Sequence, residues 1–132
     1  MIKTSLIKAV KYIKDDPVRP SIPARIRIKN NFEMYNTKEA VICIAFCDKI
    51  PITEEDLLNS KEGKIAVFYS VWSYKKGAGR SIVFEAIDLA KERGCERFVT
   101  MSPKTIMAEK FHIRNGAKLI KENSITNNFE YI

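Results

Sequence analysis

The apolar positions divide the chain into alternating helical and extended stretches. Ile2, Leu6, Ala9, Val10 and Ile13 recur at spacings of three and four, which predicts an amphipathic helix over Ile2–Lys14. Thr4 or Ser5 would cap a slightly later start. Asp15-Asp16-Pro17 stops the helix, because a residue before proline resists the helical region. Pro17, Pro20 and Pro23 then impose a stiff, extended segment. Ala24–Lys29 alternates Ile26 and Ile28 with Arg25, Arg27 and Lys29, the pattern of a half-buried strand at a sheet edge. Glu33–Asn36 continues it or pairs with it. Ala40–Cys47 is almost wholly apolar and reads as a central strand. Thr53-Glu54-Glu55-Asp56 starts a short capped helix. Lys64–Trp72 is the strongest strand in the sequence.

The second half is more regular. Arg80–Arg93 places Ile82, Val83, Ala86, Ile87, Leu89 and Ala90 on one helical face, and Gly94 closes it. Glu96–Met101 is a strand stopped at Ser102-Pro103, and Thr105–Arg114 is a short helix ended by Asn115-Gly116. Lys118–Lys121 and Phe129–Ile132 form a final hairpin. The order predicts an α+β (mixed α/β) fold around one sheet, with a single domain spanning residues 1–132.

Charge adds a class of partner without choosing within it. The net charge is +7, distributed as +6 over residues 1–30, −4 over 31–62 and +5 over 63–132. That balance suits nucleic acid, a membrane surface or a phosphate-rich cofactor, and equally a set of solvated lysines. No apolar run nears the roughly 18 residues of a membrane span, and no signal-peptide core follows Met1, so a cytoplasmic protein without a membrane partner is expected. Cys43, Cys47 and Cys95 sit in apolar sequence without a CxxC, which argues for buried thiols over zinc or disulfides. His112 is the sole histidine, so no multi-histidine metal site is expected.

The chemistry concentrates in Tyr74-Lys75-Lys76-Gly77-Ala78-Gly79-Arg80, where a strand feeds a glycine-containing loop that opens a helix. Unpaired amides and the helix dipole make such an end an anion site. Lys75, Lys76 and Arg80 surround it with cations. Neither a P-loop nor a GxGxxG fingerprint fits the spacing. A plain strand-to-helix turn with surface lysines accounts for the loop equally well.

Tyr74-x-x-Gly77-x-Gly79 resembles the Arg/Gln-x-x-Gly-x-Gly/Ala loop of GNAT-type N-acyltransferases. Ala108-Glu109-Lys110-Phe111-His112-Ile113-Arg114-Asn115-Gly116-Ala117 resembles that family's second signature, A-x-x-L/F-Y-x-x-x-G-F. The likeness spans about residues 63–120. It departs at Tyr74 (usually Arg or Gln), His112 (often Tyr) and Ala117 (an aromatic). A second register sets Lys76 at the Arg/Gln position; the first retains both glycines and phases the helix better.

The resemblance implies a small bacterial or phage-type member, with a mostly antiparallel mixed sheet whose central strands splay. It implies acetyl-CoA as cosubstrate and transfer of its acetyl group to a primary amine by direct attack. The amides of Lys75 to Gly79, including Gly77 and Ala78, with Arg80 and Tyr74 of the loop, would hold the pyrophosphate, and the main chain near Val71 would pair with pantetheine. His112, at the Tyr position, would donate a proton to the leaving thiolate, as a histidine titrating near neutrality can. The alternative for His112 is a helix residue packing its ring against Phe111 or Arg114.

The base is not legible. Glu33, Asp48 and Glu130 are candidates only if the fold brings them near, and Tyr69, Tyr74 and Ser70 are possible relays. The acidic segment Asp48–Glu62 would attract a cationic small-molecule or protein amine, or would simply be a solvated loop. Two alternatives stand beside the enzyme: a catalytically weak GNAT-like CoA-binding or protein-binding regulator, and a basic nucleic-acid-binding domain, for which Phe68–Lys76 mixes aromatics with lysines. Oligomeric state is open, a homodimer included.

Overall fold

The computed structural model describes all 132 residues. Ile2–Lys3 (β1) does not join the first helix; it pairs antiparallel with Tyr35 and Asn36 of β2 (Phe32–Asn36). The helix α1 is therefore shorter than its apolar spacing suggests, Leu6–Tyr12, capped by Ser5 and prolonged by a 3-10 turn at Ile13–Asp15. Only Ala9 of its apolar positions is fully buried, while Leu6 and Val10 are about half exposed.

The alternating stretch Ala24–Lys29 is a helical turn, α2 (Ala24–Arg27), and not a strand. The reason is the Arg27 side chain. It is fully buried in an ion pair with Asp16, 2.6 Å away, while Ile26 and Ile28 are only half-buried against the core. Pro23 leads the turn, at a position where its missing N–H costs nothing.

The remaining elements follow the reading closely. β3 (Ala40–Cys47) is wholly buried, α3 (Glu54–Leu58) carries a capping box between Thr53 and Asp56, and β4 spans Ile65–Ser73. Then come α4 (Ala78–Glu92), β5 (Arg97–Thr100), β6 (Ser102–Pro103), α5 (Ile106–Arg114, capped by Thr105), β7 (Lys118–Glu122) and β8 (Thr126–Tyr131). Gly63 permits a close crossing before β4: a Cβ there would lie 2.4 Å from the Cys47 carbonyl oxygen.

The strands form one mixed, mostly antiparallel sheet in the order β1-β2-β3-β4-β5-β8-β6, with β7 on β8. β4 and β5 are its parallel pair, joined by the α4 crossover. One face carries α4, whose Ile82, Val83 and Ala86 pack on Ile42, Ile44 and Phe68. The other carries α1, α2 and α3 over Val41, Cys43 and Val67. Cys43 and Cys47 are buried, and burial pushes both thiols up to about 11. No helix is long and apolar enough to cross a membrane.

Candidate active site

Two irregularities in β4 make the site. β4 runs parallel to β5 only from Ile65 to Phe68. Beyond that point β4 stays with β3 as far as Ser73, while the chain after β5 turns to pair with β8. In addition, Cys43 faces Ser70 and Ile44 faces Phe68, so Tyr69 is an extra residue on β4. Such a bulge increases local twist and re-aims side chains.

The opening between the diverging strands is a cleft of about 580 Å³. Val71, Ser73 and Gly79 line one part of it, and Phe111 and His112 of α5 close another. Peptide groups of β4 face into the gap. The Tyr74 N–H donates to the Glu39 carbonyl, 2.7 Å away, on the β3 side. Strand alternation then turns the N–H groups of Ser73 and Val71 towards the side that β5 has left. Buried in this cleft, the Ser70 hydroxyl has no hydrogen-bond partner.

The cleft reaches Gly79, in the first turn of α4. Gly77 precedes the helix with φ +87°, a conformation that favours glycine, and the amides of Gly77, Gly79 and Arg80 have no main-chain acceptor. The Ala78 amide, expected to be free, is spent on the Lys75 carbonyl at 3.1 Å.

The candidate residues divide accordingly. Val71, Gly79 and His112 line one cleft. Lys76 is exposed without an ion pair, Lys75 lies 3.7 Å from Glu39, and Arg80 reaches Asn115 at 3.4 Å and stacks over Phe84. Tyr74 turns away. Its hydroxyl donates to Asp15 at 2.7 Å and accepts from the Trp72 indole at 3.0 Å, tying the loop to the end of α1.

His112 lies in the cleft wall but not in the charge state expected of it. Its ring packs against Phe111, Phe129 and Tyr131 and is 6% exposed. Burial pushes its pKa down to about 4, so the ring is neutral at pH 7. Nδ1 sits 2.7 Å from the Tyr131 hydroxyl.

None of the three carboxylates considered as bases is at the cleft. Glu33 is held by Arg93 and Tyr35 at 2.5 Å each, Glu130 forms a bidentate pair with Arg97, and Asp48 lies in the loop after β3 beside Gly63. Tyr69 does line the cleft, and burial raises its hydroxyl well above 10. Phe68, Tyr69 and Trp72, the aromatics of the basic stretch, are buried.

A group that sequence reasoning missed fastens the cleft. Arg19 lies at the back of the splay and donates to the Tyr69 carbonyl on β4 and, at 2.7 Å, to the Met101 carbonyl after β5. Asp16 accepts from the amides of Val18 and Arg19 and pairs with Arg27, which also donates to the Arg19 carbonyl. The available signal was weak: one arginine between two prolines, another between two isoleucines.

No protein-family model matches the chain. No curated protein matches it either. Solved structures do. A Bacillus subtilis acetyltransferase in complex with CoA is 13% identical, with TM-score 0.65, over 98% of this chain and 93% of that one. A GNAT-family acetyltransferase from Listeria monocytogenes is 9% identical, with TM-score 0.58, over 96% and 84%. A malonyl-CoA decarboxylase from Agrobacterium vitis is 21% identical, with TM-score 0.58, over 80% of this chain and 32% of that one. The likeness at these identities is one of fold, and the fold of this chain is that of the GNAT acetyltransferases.

Proposed function

We propose that the protein is an acetyl-CoA-dependent N-acetyltransferase acting on a primary amine. The observation that carries this reading is the cleft that runs from the β4–β5 splay to Gly79, beside the unpaired amides at the start of α4. The residues present fit CoA. The start of α4 offers amides and a dipole to a pyrophosphate, with Lys76 and Arg80 nearby. The N–H groups of Val71 and Ser73 offer an edge to pantetheine, and the orphaned Ser70 hydroxyl offers a further polar contact inside. The fold shared with a CoA-bound acetyltransferase supports the same reading.

Acetyl-CoA supplies an acyl group already activated as a thioester. This chain orients it and excludes water with the walls of Trp72, Met101 and Phe111. His112 acts as a neutral ring. In the tautomer in which Tyr131 donates to Nδ1, the proton sits on Nε2, available as a hydrogen-bond donor towards the departing sulfur. The localisation that fits is the cytoplasm.

Acetyl-CoA at about 100 times its dissociation constant is expected to stabilise the fold by roughly 2.7 kcal/mol, read as a rise of several degrees in Tm. Desulfo-CoA should bind as well. Calorimetry at millimolar CoA showing neither heat nor stabilisation would remove the main support.

The loop supplies a graded test. A Cβ at Gly79 meets the Phe111 ring at 3.5 Å, ordinary contact, so Gly79→Ala should bind CoA nearly as wild type. Gly79→Val drives a methyl into the cleft and should weaken binding at least tenfold while unfolding shifts little. Arg80→Ala should lose less, and the loss should shrink in high salt. Equal affinity in wild type and Gly79→Val identifies the loop as a mere turn.

A second reading, a CoA-binding regulator with poor turnover, is favoured by one observation: no carboxylate lines the cleft. CoA binding without thiol release from acetyl-CoA in any amine assay supports it.

A further inference from the structure

Acetyl transfer has a simple proton balance. The amine nitrogen forms a C–N bond to the carbonyl carbon, the C–S bond breaks with its electron pair on sulfur, and one proton passes from nitrogen to sulfur. A neutral amine carries the one proton required. An ammonium carries a surplus proton, which a base must remove before attack.

The cleft holds no such base. Beside the splay it is walled by Pro17, Val18, Tyr69, Ser70, Trp72 and Met101, without a charged side chain. Its titratable groups are Tyr69 on β4, protonated through burial, and His112 on α5, whose ring is a feeble proton acceptor. Behind the wall a cation, Arg19, binds the carbonyls of Tyr69 and Met101. Asp16 is neutralised by Arg27, Glu54 of α3 reaches Arg19 only through space, and Asp15 is occupied by Tyr74. Glu109 and Lys110 of α5 line a separate depression. An ammonium would enter an apolar site, beside a like charge, with nothing to pair with.

We infer that the acceptor is a weakly basic primary amine on an apolar or aromatic body, an α-amine or aromatic amine that arrives uncharged, and not a lysine side chain or a polyamine. This rests on the acetyltransferase reading and narrows its substrate class. It also runs against the expectation that the acidic segment Asp48–Glu62 recruits a cation. At pH 7 about one α-amine in ten is neutral, against about one lysine amine in 2,500.

The test uses the whole protein and four probes: p-toluidine, phenylalanine amide, Nα-acetyl-lysine amide and spermidine. Acetyl-CoA binding is first measured by calorimetry, and thiol release is then followed from pH 6 to 9. The first two probes are expected to exceed the last two at least 100-fold in kcat/KM at pH 7. The rate with p-toluidine should be flat with pH, and that with Nα-acetyl-lysine amide should rise about tenfold per unit. Binding of acetyl-CoA with spermidine or the lysine amide preferred at pH 7, or with no probe turned over, overturns this inference while leaving CoA recognition intact. Absence of acetyl-CoA binding overturns the acetyltransferase reading and this inference with it.

Discussion

Lowering the pH from 7 to 4 is expected to cost the fold about 3 kcal/mol through His112 alone. Its pKa falls from 6.5 to about 4 on folding because burial penalises the imidazolium. Below pH 6.5 the unfolded chain takes up a proton that the native ring refuses, so the unfolded state gains. The contribution is fully present above the unfolded value, declines as pH falls and is exhausted below about 4. A difference of about 2.5 units at 1.36 kcal/mol each gives the quoted size. Glu33 and Glu130 add acid sensitivity of their own, since ion pairs with Arg93 and Arg97 hold their carboxyls below the usual range. Their contribution is present above about pH 4.5 and is common to wild type and variant. Urea unfolding of wild type and His112→Gln at pH 7, 6, 5 and 4 isolates the histidine. The gap between the two should narrow, or reverse, by about 3 kcal/mol across that range. A constant gap would mean that the ring is solvated and titrates normally. The same burial changes the expected kinetics. His112→Ala should lower turnover about 100-fold if the ring contacts the leaving group, yet no rate limb from His112 should appear between pH 6 and 9.

The histidine also shows how far the sequence could be read. The short helix predicted over Thr105–Arg114 is α5, which carries His112, because its periodicity and caps are local. The charge state of His112 was not legible, since that depends on Phe129 and Tyr131 from a strand further along the chain. The α4 and β3 elements were readable because their periodicities are long and their buried residues are apolar. Ala24–Arg27 misled for the opposite reason: its most deeply buried residue is Arg27, so the isoleucines on either side imitated a strand. The splay itself has no signature. It arises where β5 ends its pairing at Thr100 and from a one-residue bulge at Tyr69, both set by which strands are neighbours. Likewise Glu33 and Glu130 looked available in sequence and are engaged at the sheet's far strands in space. Pro17 and Val18, which form part of the cleft wall, came from a segment legible only as stiff.

Arg27→Ala is expected to lose about 3–5 kcal/mol of folding stability, a large share of the roughly 5–15 kcal/mol typical of a domain. The side chains of Arg27 and Asp16 are fully buried and 2.6 Å apart. Removing the guanidinium strands the Asp16 carboxylate in the interior. It also orphans the carbonyls of Ile22 and Arg19, which Arg27 serves at 3.0 and 2.5 Å. Arg27→Lys should rescue little, because one ammonium cannot reproduce a fork that serves Asp16 and two carbonyls at once. Asp16→Asn should be milder, since its remaining carbonyl oxygen can still accept from the amides of Val18 and Arg19. The informative variant combines Asp16→Asn with Arg27→Met. With both charges gone, nothing ionic is left unpaired, and the double variant should lose clearly less than the two singles added together. Unfolding by denaturant, read by circular dichroism, gives the cycle. Losses that add to within about 0.5 kcal/mol would show that the pair is not coupled. The consequence extends to the site. Asp16 holds the backbone that carries Pro17 and Val18 of the wall and sets Arg19 across the splay. Under conditions where Arg27→Ala remains folded, its affinity for acetyl-CoA should therefore fall, because Arg19, whose carbonyl Arg27 holds, is less firmly set across the gap between β4 and β5.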